Sequence, residues 1–219
     1  MFAACTNDEI IRTNKAGFTD IYKNILLRSF DIPGETISPS KTVYSKKWLS
    51  KFNQPIIGLS SPNQTEKATL VALGNQNDTL TWVSADGISV SFKNGILIAT
   101  RGYSQDLIES QHYKLDTLFT QNIKNFSKTF RYLNGQNRYR EFNFSCSFSA
   151  KVTTTSFLSD LKLKTTQFTE ACKSGNMRHT NKYYLLPNTD IVLKSKQWIS
   201  ETNGYITIYN YYAFQNNLF

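Results

Sequence analysis

Apolar and polar residues alternate with a period of two through most of the chain beyond residue 50, the pattern of strands with one buried face. The clearest case is Phe142, Phe144, Cys146, Phe148, Ala150 and Val152, interleaved with Asn143, Ser145, Ser147, Ser149 and Lys151. Residues 161–171 are the expected antiparallel partner. A second region reads as a three-strand meander. Leu80, Trp82 and Ser84 alternate with Thr81 and Val83, and Asp86-Gly87 makes a turn. Ile88, Val90 and Phe92 resume the alternation, and Asn94-Gly95 turns the chain into 96–99. Asx-Gly pairs supply the positive φ that two-residue hairpins require. Asn203-Gly204 gives a third such turn, between 191–199 and 205–212, and short runs at 55–59, 68–73 and 183–186 complete the set. Two segments depart from the period. Residues 8–30 read as a helix capped by Asn7 or Asp8, with Ile10, Ile11, Ile21, Ile25 and Leu26 on one stripe and Ile32-Pro33-Gly34 as its stop. Residues 106–126 are polar with scattered apolar positions and predict a short helix or an irregular connection. The sum is a mainly β chain: one antiparallel domain over 31–219, barrel-like or sandwich, behind an N-terminal segment 1–30 that carries one helix.

Composition narrows the classes. Of 219 residues 40% are hydrophobic and 14% aromatic, too many for an intrinsically disordered chain. No run approaches the ~20 apolar residues of a membrane-spanning helix. Lys and Arg number 25 against 16 acids, a net charge of +9. That charge reads either as a nucleic-acid binder or as a solvated basic surface near anionic lipid or acidic sugars. The basic residues form no run longer than Lys46-Lys47, and no nucleic-acid-binding motif accompanies them, so nucleic acid is not the expected partner. Three Cys and two His in no zinc-type spacing predict no metal, and nothing predicts a cofactor.

Catalytic patterns are equally sparse. His112 and His179 lie in no nucleophile context, and there is no G-x-S-x-G elbow. A carboxylate pair for glycoside cleavage could be drawn from Asp86, Asp106, Glu109 or Asp116, but any chain offers such candidates. The reading is of a non-enzyme. On the 205–212 strand, Tyr205, Tyr209 and Tyr211 would share one face with Ile206 and Ile208 turned inward, a candidate sugar-stacking or docking strip.

The opening Met1-Phe2-Ala3-Ala4-Cys5-Thr6 resembles the end of a bacterial lipoprotein signal, with Cys5 as the acylated residue. The basic and apolar regions that precede such a cysteine are not in the sequence, and Phe2 stands where Leu is usual. Thr6 in place of Asp after the cysteine favours the outer membrane over the inner one.

Two further blocks carry a family resemblance. The first is Thr81-Trp82-Val83-Ser84-Ala85-Asp86-Gly87, then Asn94-Gly95-Ile96-Leu97, then Gly102 and Asp106-Leu107. The second is Asn181-Lys182-Tyr183-Tyr184 with Ser195-Lys196-Gln197-Trp198. In this order they resemble the YjbF/GfcB family of bacterial lipoproteins, whose motifs run W-x-S-x-D-G, N/H-G-R-I/L, N-R-Y-W and S-R-Q. Lys182 and Lys196 replace Arg, Tyr184 replaces Trp, and Leu186-Pro187-Asn188-Thr189-Asp190 lacks the Gly of the family's D-P-x-T-G turn. Trp82, Ser84, Asp86, Gly87, Asn94, Gly95, Asn181, Tyr183, Ser195 and Gln197 are the motif residues carried over. The resemblance implies a non-enzymatic outer-membrane lipoprotein facing the periplasm, with a β-barrel-like fold. It would support capsular or extracellular polysaccharide assembly or export through contacts with periplasmic and outer-membrane partner proteins, with contact to the polysaccharide as a further expectation. The rival readings are an envelope polysaccharide-modifying enzyme and a basic nucleic-acid-binding β domain.

With Cys5 set aside for lipid, Cys146 and Cys172 remain. If 142–153 and 163–172 form a hairpin centred near Ser159, the two face each other, and directly opposed strand positions ~4.5 Å apart admit a disulfide. An oxidising periplasm would favour that bond. Two buried free thiols are the alternative, and a one-residue slip of register would favour them.

Overall fold

The computed structural model describes Leu49 and residues 54–61, 67–112, 124–133, 138–157 and 161–215. Twelve strands form a single antiparallel sheet among these residues: β1 (Ile56–Ser60), β2 (Lys67–Gln76), β3 (Thr79–Val83), β4 (Ser89–Lys93), β5 (Ile96–Arg101), β6 (Leu107–His112), β7 (Asn125–Leu133), β8 (Tyr139–Ser156), β9 (Lys162–Ser174), β10 (Met177–Leu185), β11 (Val192–Ser200) and β12 (Gly204–Tyr209). The spatial order is β5-β4-β3-β2-β1-β12-β11-β10-β9-β8-β7-β6. Every neighbour is also a sequence neighbour except the β1–β12 pair, so this is an up-and-down barrel in which β1 joins the chain's two halves.

The barrel is nearly closed. The two end strands, β5 and β6, are consecutive in sequence and meet through side chains rather than a backbone ladder. Leu107 N donates to Thr100 Oγ1 (2.9 Å), Thr100 Oγ1 donates to Asp106 Oδ1 (3.1 Å), and Arg101 Nη1 donates to Leu107 O (3.2 Å). Asp106 also accepts from the N–H groups of Gly102 and Tyr103, both at 3.1 Å. This aspartate turn reverses the chain across the seam.

The Asn94-Gly95 turn has both residues at positive φ, 50° and 77°, and joins Lys93 to its partner Ile96 as a two-residue hairpin. Asp86-Gly87 differs from its sequence reading. Val83 pairs with Ser89, leaving a five-residue loop in which Gly87 alone has positive φ (87°). Ser84 N donates to Ile88 O (2.9 Å), and the Ser84 hydroxyl bonds the Asp86 carboxylate, so these side chains shape a wider loop. Asn203-Gly204 likewise closes a longer loop, because Ser200 pairs with Gly204 and only the glycine is at positive φ (67°). Asn77-Asp78, at φ 51° and 61°, makes an unforeseen two-residue turn between β2 and β3.

Three expectations need correcting or bounding. The helix over 8–30 and Cys5 lie outside the described residues. The helix that is described, α1 (Tyr211–Gln215), is C-terminal; the strand read over 205–212 ends at Tyr209 because Asn210 Oδ1 caps Ala213 N (3.2 Å). Of the 106–126 segment, Leu107–His112 is β6 and 125–126 opens β7, while 113–123, the stretch that remains for a short helix or irregular connection, lies outside the described residues. A register shift between Leu107 and Glu109 breaks the period that would have marked β6.

Alternation divides the apolar residues between two faces. Ile57, Leu70 and Trp82 point into the barrel with Phe92, Phe130, Phe144, Trp198 and Ile206. Their neighbours Ile56, Val71 and Val83 point outward and are covered by Tyr211 and Ala213 of α1, with Leu49 and Phe157. Gly58 permits that cover, since a Cβ there would sit 2.6 Å from the Tyr211 ring.

Candidate functional site

The barrel interior holds a polar cluster built by inward positions of β7, β9 and β10. Glu170 is completely buried, and Lys128, 2% exposed, reaches its Oε1 at 2.9 Å. Asn181 Nδ2 and the Tyr183 hydroxyl both donate to Oε2 at 2.7 Å. A buried ion pair persists only where further hydrogen bonds complete its coordination, and these two donors do so. Burial pushes the Lys128 ammonium below its ordinary value and Glu170 pulls it back up; burial and the Glu170 charge both raise the Tyr183 phenol. The lysine also sits 4.7 Å from the Phe130 ring centroid.

His179 shares this interior. Its ring stacks on Trp198 at 4.5 Å with a 5° interplanar angle and meets Phe144 edge-on at 4.8 Å. Both ring nitrogens are buried without a hydrogen-bond partner. Burial, then the Lys128 charge, lower its pKa to about 4. Beside it Cys146 and Cys172, cross-strand partners 4.1 Å apart at Cα, are joined in a disulfide. Cys146, Glu170 and Cys172 are grouped as metal donors would be, but the sulfurs are bonded to each other and the carboxylate holds Lys128, Asn181 and Tyr183.

The second motif block works as a set of struts. Asn181 Oδ1 accepts from Trp198 N (2.8 Å), tying β10 to β11 where the register of β11 shifts. Gln197 reaches across the barrel from β11 to the β4–β5 turn. Its Oε1 accepts from Leu97 N (2.8 Å), and its Nε2 donates to Gly95 O (2.8 Å) and Ser195 Oγ (2.9 Å). Gly95 lies against Val192, so a Cβ would fall 2.6 Å from Cγ2 of that residue.

Trp82, Asn94, Gly95 and Ser195 thereby converge at one mouth of the barrel, around a cleft of about 330 Å³. Its floor is Ile57, Leu80, Trp82, Phe92 and Ile208, and Tyr212 meets Trp82 edge-on at 6.4 Å. Asn181 and Tyr183 belong to the interior cluster. Ser84, Asp86 and Gly87 sit at the opposite end of β3 from the Asn77-Asp78 turn and bond one another.

The tyrosine strip differs from its reading. Tyr205 and Tyr209 are half-buried on the outer wall, each with a lysine 4.9 Å from its ring centroid, Lys196 and Lys194 respectively. The Tyr205 hydroxyl accepts from Thr180 N (3.0 Å). Tyr211 is not on the strand; it is 1% exposed beneath Phe157, with Tyr209 stacked on it at 6.0 Å. Among the candidate carboxylates, Asp106 holds the seam and Glu109 pairs with Arg131 at 2.7 Å on the surface, while Asp116 lies outside the described residues. Sequence reasoning missed Glu170 and Lys128. The available signal was that Glu170 stands two residues before Cys172 and therefore on the same inward face.

A family model described as group 4 capsule polysaccharide lipoprotein gfcB, YjbF matches residues 24–210. The crystal structure of the hypothetical lipoprotein YmcC from Escherichia coli (K12) is similar, with a TM-score of 0.68 and 14% identity over 87% of this chain and 93% of that one. At that identity the likeness is one of fold. No curated protein matches the chain.

Proposed function

This chain belongs to the YjbF family of group 4 capsule polysaccharide lipoproteins, and from that premise we propose that it is a non-enzymatic, lipid-anchored scaffold. It is held by Cys5 in the outer membrane, faces the periplasm, and supports assembly or export of capsular or extracellular polysaccharide through contacts with export proteins. The observation that carries the non-enzymatic part is the employment of the motif side chains. Asn181 and Gln197 each bridge different strands, and Glu170, the buried carboxylate, has both oxygens occupied. That use of Asn181, Gln197 and Glu170 within the wall supports a structural role for them.

The test is genetic and biochemical. Deletion should reduce surface polysaccharide, the wild-type chain should restore it, and Cys5→Ala should fail to restore it while the protein leaves the outer-membrane fraction. Crosslinking in intact cells should recover envelope proteins. Normal surface polysaccharide after deletion, or full rescue by Cys5→Ala, overturns the reading.

A further inference from the structure

The cleft at the barrel mouth lies beside the Gln197 strut, and the side chains that open into it have the chemistry of a binding site. We propose that it binds a short stretch of glycan, one or two pyranose rings long. This names a ligand class for the chain and rests on the reading above only in supposing that the polymer bound is the capsular one.

Size is the first argument. A volume of about 330 Å³ is at the low end of small-molecule sites, which run ~300–1,000 Å³. The second is the division of the lining. Trp82, Phe92 and Leu80 give an apolar, partly aromatic floor for the C–H face of a sugar ring, and Tyr212, 37% exposed, offers an accessible ring at the edge. The rim carries Asn75, Asp78 and Asn94. Sugar hydroxyls both donate and accept, and this rim mixes amides, which do both, with an acceptor-only carboxylate. A rim whose ionisable side chain is a carboxylate is a poor phosphate site, which calls for clustered cations or an array of backbone N–H groups.

Ser195 supplies an independent observation. It is 2% exposed and lines the cleft, and its Oγ accepts from Gln197 Nε2. That bond uses a lone pair and leaves the hydroxyl proton to be donated, and the space before it is the cleft. Rigidity is the last argument. Asp78 and Asn94 sit in two-residue turns at positive φ, and Gln197 pins the second turn to β11, so the rim is set before a ligand arrives.

The test uses the full chain, titrated by calorimetry and tryptophan fluorescence with cellotriose, chitotriose, a glucuronate-containing tetrasaccharide and depolymerised surface polysaccharide of the host. Inorganic phosphate is the comparison ligand. At least one glycan should bind and perturb the tryptophan emission. Asn94→Gly, which keeps the positive φ and removes the amide, should weaken binding about tenfold, as should Tyr212→Ala, while Lys182→Ala on the outer wall should not change it. Asn94→Gly keeps the test valid if Tyr212→Ala disturbs α1. The proposal is overturned if no glycan binds, if Asn94→Gly and Tyr212→Ala both bind as tightly as wild type, or if phosphate binds with the same dependence on the rim. Those failures would leave the capsule phenotype of the deletion untouched, and so are separable from failure of the scaffold reading.

Discussion

Lys128 and Glu170, 42 residues apart in sequence, meet at 2.9 Å in the barrel interior, where water reaches neither side chain. Removing one charge strands the other. Lys128→Met should therefore cost about 3–5 kcal/mol, read as a fall in the urea midpoint at constant slope. Lys128→Met with Glu170→Gln, which removes both charges and keeps an acceptor for Asn181 and Tyr183, should cost less than the sum of the single changes. Strict additivity would mean that the pair is not coupled.

His179 makes stability depend on pH in a defined direction. Its folded-state pKa of about 4 lies below the ordinary histidine value of about 6.5. Between those values the unfolded chain takes up a proton that the barrel does not, so stability is lost as pH falls through the window. The loss amounts to about 3 kcal/mol across its full width. His179→Phe should flatten the difference. Urea titrations of both proteins at pH 4.5, 5.5 and 7 measure it, and parallel pH profiles would contradict it.

The Cys146–Cys172 bond closes a loop with a sequence separation of 26. Reduction, or Cys146→Ala with Cys172→Ala, should lower stability by about 2–4 kcal/mol through the added freedom of the unfolded chain. A non-reduced digest should yield the two cysteine peptides joined; separate thiol peptides would be the contrary outcome.

Gly95 and Gly175 offer a controlled comparison. Both are at positive φ, 77° and 56°, but a Cβ at Gly95 would strike Val192 at 2.6 Å, whereas nothing lies within 4 Å of one at Gly175. Gly175→Ala should cost about 1 kcal/mol of backbone strain, and Gly95→Ala about 2–4 kcal/mol because overpacking adds to the same strain. Equal thermal shifts in the two variants would show that the Gly95–Val192 approach is unimportant.

How far the sequence could be read follows from the range over which each feature is encoded. The β4–β5 hairpin is legible because Asn94-Gly95 specifies its own φ angles and alternation continues on both sides. Counting outward from Ser159 places Cys146 opposite Cys172, and the register in the barrel is that pairing, because β8 and β9 run without a bulge between them. Where a bulge intervenes, as at Leu107/Glu109, the period is lost and a strand looks irregular. Tyr211 was misplaced for a different reason: alternation runs on past Tyr209, but the Asn210 side chain caps a helix and takes the ring out of the sheet. The motif positions could be named from their order, yet not their use. Whether Gln197 meets solvent or Gly95 depends on how the barrel curves, since the two are 102 residues apart. The Glu170 cluster and the cleft likewise exist only after distant strands are brought together, and no local pattern announces them.

The β5–β6 seam separates two properties that a fully laddered barrel would combine. Strand pairing is complete without it, while β5 and β6 are held to each other by a clasp of three side chains, Thr100, Arg101 and Asp106, whose bonds are worth about 1 kcal/mol each. Unfastening that clasp together with the Gln197 strut would let the ring widen while every other strand stays zipped to its neighbours. Slow amide exchange should therefore persist around the wall even when the lumen is momentarily ajar.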